Sequence, residues 1–421
     1  MKTRKMNEFK VIKEHKSVDG SFTHTITELK KLPPADLSGD LPEKYTHSWF
    51  AKTYKKNDPI AFREVVAQEF FRLVALNHPK TRFIEDKAND YVLSKGIEGI
   101  KLLSDLPLNV LKKNLGNGTY TGLGSIAFLA LFFNEIDLKF GNIAINNKNQ
   151  LIKLDGEQCF AVLQDPERER GSAIDEEDIR SLPCLVKYMP WNWLDFVVQG
   201  EDLIPRLIDL DPDAAASFRQ DVHGAMLRCL LLPNSLIEAF IHSYVKNDAQ
   251  KIEAASICEL MCKRKKQLLI AALTNVSFME YMQKFQVTRY VAMYAAYLAT
   301  FKTTQKHFLK DKLTDLSGDI GKEFNALERL MAIQQQKKPP KFAVGFGVAA
   351  SLSPSVSVGL KAKYTAVGSY VGLNKLSMFG PSASEQRISV LIRKKLLLRG
   401  ELSSTQVDDV SLKDKAQIGF K

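Results

Sequence analysis

The period of the apolar positions changes at about residue 106. Before it, turn signals at Asp19-Gly20, Pro33-Pro34, Ser38-Gly39-Asp40 and Leu41-Pro42 break residues 1–57 into short strands and loops. HSWFAKTY, His47 to Tyr54, has the aromatic content of a strand. Asp58-Pro59 supplies an N-cap with proline at the first helical position, and IAFREVVAQEFFRLVAL keeps an apolar stripe until His78-Pro79 stops it, so a helix is predicted there. TRFIEDKANDYVLSKGI predicts two strands around the polar turn Asp86 to Asp90. From Leu106 the period is helical, over 106–115, 122–133 and many stretches from Ile174 to Ile333. A hairpin interrupts the helices, with Ile143/Ile145 and Leu151/Ile152 flanking the turn Asn146 to Asn149. QQQKKPPK, Gln334 to Lys341, has linker composition. Beyond it every even-numbered residue from Phe342 to Ala366 is apolar or proline, which predicts one or two hairpins with one greasy face, and RISVLIRKKLLLR follows as a basic aliphatic segment. The pattern is α+β: a strand-rich part with one helix over 1–105, a helical part over 106–333, and a C-terminal region over 334–421.

At 421 residues with 45% hydrophobic content, the chain can bury a full core in two or three domains. The opening MKTRKMNEFKVIKEHK lacks the apolar stretch of a secretory signal, and the longest apolar run, Leu123 to Phe133, is too short to span a bilayer. Five cysteines without a disulfide-like spacing point to reduced thiols; Cys258 and Cys262 read as core residues, because no histidine or second pair completes a zinc set. The net charge of +11 is uneven. Residues from Lys337 onward carry +9, leaving the body nearly neutral at +2.

Phosphoryl transfer from ATP asks for a carboxylate near the attacking hydroxyl, a lysine near the transferring phosphoryl, and hard oxygen ligands for a divalent cation. Asp137, Lys139, Asn142 and Asp155 supply those types in that order, and the hairpin between Asn142 and Asp155 would carry both to one end. DLKFGN, residues 137–142, resembles the catalytic loop of the protein kinase superfamily, and LDGE resembles its metal-binding D-F-G segment at the usual separation. The resemblance implies a bilobal kinase-like fold, with a small β-rich N-lobe, a helical C-lobe and a basic extension. It makes Asp137 the base or hydroxyl-orienting residue, Lys139 the lysine at the γ-phosphate, and Asn142 and Asp155 the ligands of Mg²⁺ or Mn²⁺. Lys52 in WFAKTY then matches the lysine that grips the α/β-phosphates. Glu64 is its partner from the helix, with Glu69 held in reserve on a different face, and LSKG, Leu93 to Gly96, becomes the adenine-contacting hinge.

The departures have consequences. Ser38-Gly39-Asp40 is a poor substitute for a G-x-G-x-x-G loop, Glu135-Ile136 replaces His-Arg, Gly156-Glu157 replaces Phe-Gly, and no A-P-E motif follows. Ordinary activation-loop control is therefore not expected. DIRSLPCLVKYMPWNWLDF (178–196) and KRKKQLLIAAL (263–273) look most like secreted effector kinases of intracellular bacterial pathogens. That resemblance implies secretion into a host cytosol and a host protein hydroxyl as substrate. A phosphoinositide kinase, a pseudokinase, or a kinase-fold transferase of AMP are the alternatives. The basic aliphatic tail, whose only aromatics after Phe346 are Tyr364, Tyr370, Phe379 and Phe420, favours an anionic lipid such as a phosphoinositide over nucleic acid, and a solubilising or secretion-signal tail is the other reading. The knot Lys263-Arg264-Lys265-Lys266 reads as a solvated helix face or as a pocket for a polyanion such as an inositol polyphosphate activator.

Overall fold

The computed structural model of the chain describes residues 6–15, 25–33, 43–75, 77–165, 173–183, 192–193, 197–198, 201–202, 210–285, 287–299 and 316–336. Ser38-Gly39-Asp40 and everything expected from Lys337 onward lie outside them. The chain divides into two units, Met1–Phe342 and Ala343–Lys421, and the described residues belong to the first.

The fold is α+β. Five strands, β1 (Phe9–His15), β2 (Ile26–Lys31), β3 (Ser48–Lys55), β4 (Thr81–Glu85) and β5 (Asn89–Lys95), form one antiparallel sheet in the order β1-β2-β3-β5-β4. Strand β3 is central, with Lys52 opposite Ile26 on one side and Val92 on the other. Its alternation sorts the two faces. Trp49 and Ala51 pack with Phe9, Leu29, Ile84 and Leu93 in a small apolar cluster, whereas Tyr54 joins the main core. A four-residue helix, α1 (Glu43–Thr46), precedes β3, and α2 (Pro59–Ala75) follows it. Thirteen of the 17 residues of α2 are buried, Arg63, Glu64, Gln68 and Glu69 among them, so its polar side does not face water.

The remaining helices are α3 (Leu108–Gly116), α4 (Leu123–Phe132), α5 (Glu176–Ser181), α6 (Pro212–Leu231), α7 (Asn234–His242), α8 (Asp248–Thr274), α9 (Val276–Gln283), α10 (Val287–Ala299) and α11 (Leu316–Gln336). Asp211 and Asn247 cap α6 and α8 through their side chains, and Asp175 forms a capping box with Asp178 at α5. Every residue of α4 is buried, which explains its unbroken apolar sequence. Gly124 lets α6 approach, since a Cβ there would strike the Phe218 carbonyl. Both ends of α4 are pinned. Asp221 Oδ2 accepts from Gly122 N (3.0 Å) at its start, and at its end Arg264 donates to the carbonyls of Leu131 (2.6 Å) and Phe132 (2.7 Å).

That last contact corrects the reading of the basic knot. Arg264 is buried as a cap of α4, and Lys265 is buried against the Leu232 carbonyl (2.6 Å) and Glu323 (3.0 Å). Only Lys263 and Lys266 lie on the exposed side of α8, because four consecutive residues spread around a helix. The four cations are not gathered into one pocket. No single helix among the described residues is long and apolar enough to cross a membrane.

Candidate functional site

The pinned helix α4 leads into residues 133–142, where β7 (Asp137–Leu138) is followed by a single 3-10 turn, Phe140–Asn142. A small sheet comes next, with β6 (Lys101–Leu102), β8 (Ile143–Ile145) and β9 (Leu151–Lys153) in the order β6-β8-β9. Pairing of Ile143 with Lys153, and a bond from Leu154 N to the Asn142 carbonyl (2.9 Å), set Asn142 beside the start of Leu154-Asp155. The Asn142 amide donates to the Asp137 carbonyl (2.8 Å) and to Asp137 Oδ2 (3.2 Å), and Lys139 Nζ lies 3.2 Å from the same Oδ2. The hairpin thus joins the two sequence motifs end to end.

Lys52 connects this loop to the larger sheet. Its Nζ lies 2.8 Å from Asp155 Oδ1, 3.2 Å from Glu64 Oε1 and 3.6 Å from Glu157 Oε2. Tyr54 donates its hydroxyl to Glu64 Oε2. Burial alone would lower the Lys52 pKa, but Asp155, Glu64 and Glu157 outweigh it and hold the ammonium charged. Asp155 goes the opposite way. Burial would raise its pKa, yet Lys52 and Lys153 hold its carboxylate well below the ordinary range, helped by the Glu157 backbone N–H at 2.9 Å. Glu64 is lifted above the usual range by burial, with Lys52 pulling it down and Asp155 pushing it up. Glu69 takes a separate role on another face of α2. Its Oε1 accepts from Thr81 N (2.6 Å) and its Oε2 from the Tyr244 hydroxyl (3.2 Å).

Beneath the loop sits a pair of charges with no counterpart in the motif reading. Glu135 and Lys153 are each 1% exposed, with Lys153 Nζ 3.0 Å from Glu135 Oε2. His78 Nε2 accepts from Lys153 N (3.1 Å), and burial together with Lys153 lowers the His78 pKa to about 3. Gln68 donates to the Leu154 carbonyl. Tyr54 was recoverable from the sequence, since two residues beyond Lys52 on a strand lie on the same face. Glu135, Lys153, His78 and Gln68 carried no such signal.

The donor set suits a divalent cation. Among the described residues no three of His, Cys, Asp and Glu converge as a metal cage. Mg²⁺ commonly takes only one or two protein oxygens beside phosphates and water. Asn142 uses its amide nitrogen toward Asp137, which leaves Oδ1 as a hard acceptor, and Asp155 is kept ionised with Oδ1 taken by Lys52 and Glu157 N, leaving Oδ2. Cys258 is a poor metal ligand, its thiol pushed by burial to about 12. No family model matches the chain, and no curated protein matches it.

Proposed function

We propose that the chain is an ATP- and Mg²⁺- or Mn²⁺-dependent phosphotransferase with a kinase-like bilobal fold, transferring the γ-phosphoryl group to a protein hydroxyl. The observation that carries the reading is Lys52, which bridges Glu64 of the next element, α2, and the distant Asp155 after β9, so that all three meet at one ammonium. Lys52 binds the α/β-phosphates, while Glu64, held by Tyr54, fixes its direction. Asn142 and Asp155 would hold the divalent cation, which would supply charge neutralisation at the phosphates. Asp137 orients the acceptor hydroxyl and takes its proton as the new O–P bond forms and the bond to the ADP oxygen breaks. Lys139, 3.2 Å from Asp137, stands ready to balance charge on the moving phosphoryl. The same reading makes the chain a secreted bacterial effector acting on a host protein, with its basic region at an anionic lipid surface.

The test uses ATP labelled separately at the α and γ positions, with host extract and with wild type, Asp137→Ala and Asp155→Ala. Transfer of γ label by wild type, falling ~10²–10⁴-fold in Asp137→Ala, is expected. Transfer of α label would replace phosphorylation by AMP transfer. Transfer of neither would remove the enzyme reading and leave a binding protein of the same fold.

A further inference from the structure

We propose that Glu135 is a positioning residue: its buried carboxylate, with its charge compensated by Lys153, accepts the Asp137 backbone N–H and so fixes that loop against the strand leading to Asp155; the idea rests on the phosphotransfer reading above. Glu135 divides its two oxygens. Oε1 accepts the Asp137 backbone N–H at 3.0 Å, and Oε2 meets Lys153 Nζ at 3.0 Å and the Cys159 thiol at 2.9 Å. Lys153 lies two residues before Asp155, its own N–H is held by His78, and its ammonium sits 5.7 Å from the centre of the Phe71 ring. One carboxylate therefore ties together the loop, the end of β9, the turn after Asp155 and, through Lys153, the connection between α2 and β4.

Stability does not explain the arrangement. Two charges at 1% exposure incur a desolvation cost that apolar residues of similar volume would avoid, and such replacements are often neutral or stabilising. What the pair supplies that apolar residues cannot is an acceptor aimed at the Asp137 N–H. Misplacing a reacting group by about 1 Å can cost ~10²-fold in rate.

Two double variants of the full chain separate the roles. Glu135→Gln/Lys153→Met removes both charges and keeps an oxygen for the Asp137 N–H, whereas Glu135→Leu/Lys153→Met removes the charges and the acceptor. The expected result is kcat within ~3-fold of wild type for the Gln variant and a ~10–100-fold loss for the Leu variant, with KM for ATP unchanged in both because Lys52 and Glu64 are untouched. Equal kcat in the two, or losses that follow Tm alone, would overturn the proposal. Hydrogen exchange at the Asp137 amide gives a readout independent of activity: slow in wild type and the Gln variant, faster in the Leu variant. Fast exchange in wild type would overturn the positioning role even if neither variant folds. A wild type with a protected amide and no label transfer would instead count against the phosphotransfer reading.

Discussion

Glu64 and Glu69 sit five residues apart on one helix, both buried, and the structure gives them separate partners, Lys52 for Glu64 and Thr81 with Tyr244 for Glu69. Glu64→Gln weakens the hold on Lys52, and we expect ~10-fold or greater loss of nucleotide affinity by calorimetry, about 1.4 kcal/mol, with a small change in Tm. Glu69→Gln leaves nucleotide affinity in place and lowers stability by about 1–3 kcal/mol in urea unfolding, because its bonds to Thr81 N and Tyr244 are broken or weakened inside the core. His78 gives a pH signature. Its folded pKa of about 3 lies below the ordinary 6.5, so its contribution is fully present above pH 6.5 and is lost as pH falls toward 3. Wild type should lose about 2–3 kcal/mol more than His78→Gln between pH 7 and 4.5, and equal slopes would show that the ring is not buried neutral. These cases also mark what the sequence discloses. That Lys52 would meet Asp155, and Asp137 would meet Lys139 and Asn142, was legible because the proposed chemistry restricts residue type and spacing. Glu135 with Lys153 was not, since two charges 18 residues apart look like any surface pair until the hairpin folds. Lys263 to Lys266 misled for the converse reason: a basic run is visible in sequence, but the rotation of the helix sends two of its members into the core.

Helix α2 was legible as an element but not in its surroundings. Asp58-Pro59 and His78-Pro79 bracket it well, and the helix runs Pro59–Ala75. Its polar residues imply a solvent face by pattern alone. In the fold each one is engaged: Arg63 with Glu253 of α8 and the Leu163 carbonyl, Glu64 with Lys52, Gln68 with the Leu154 carbonyl, and Glu69 with Thr81 and Tyr244. A helix fixed on so many sides cannot swing without breaking several buried contacts. Gly156 completes the clamp, because a Cβ there would come within 3.2 Å of Gln68 Cγ, 3.3 Å of Ala67 Cβ and 3.4 Å of the Glu64 carbonyl. Placing a larger side chain at this position is therefore expected to harm the protein. Gly156→Ala should lower stability by about 1–3 kcal/mol through overpacking. Gly156→Phe should push α2 away, part Lys52 from Glu64 and reduce nucleotide affinity along with Tm. A Phe variant with wild-type affinity and Tm would mean that α2 yields easily, and that the clamp does not hold it.

At the scale of the whole molecule, charge and architecture divide at the same place. Helix α11 ends at Gln336, the unit boundary falls at Phe342, and the +9 of residues 337–421 leaves +2 for the remainder. A nearly neutral body has little reason to seek an anionic surface, whereas each Lys or Arg near such a surface contributes about 1 kcal/mol. The unit that ends at Phe342 contains the core formed by the described residues. A chain ending at Gln336 is thus expected to unfold in one cooperative transition close to the wild-type Tm and to keep γ-label transfer to a soluble acceptor. It should also lose co-sedimentation with vesicles containing 20% anionic lipid, a composition chosen for the assay. Binding by the full chain should weaken steeply as salt rises from 0.05 to 0.5 M, values chosen to span the Debye length of about 8 Å at 0.15 M. Undiminished vesicle binding by the truncated chain would move the lipid contact into the body. Lys263 and Lys266, on the exposed face of α8, would then be the first residues to replace.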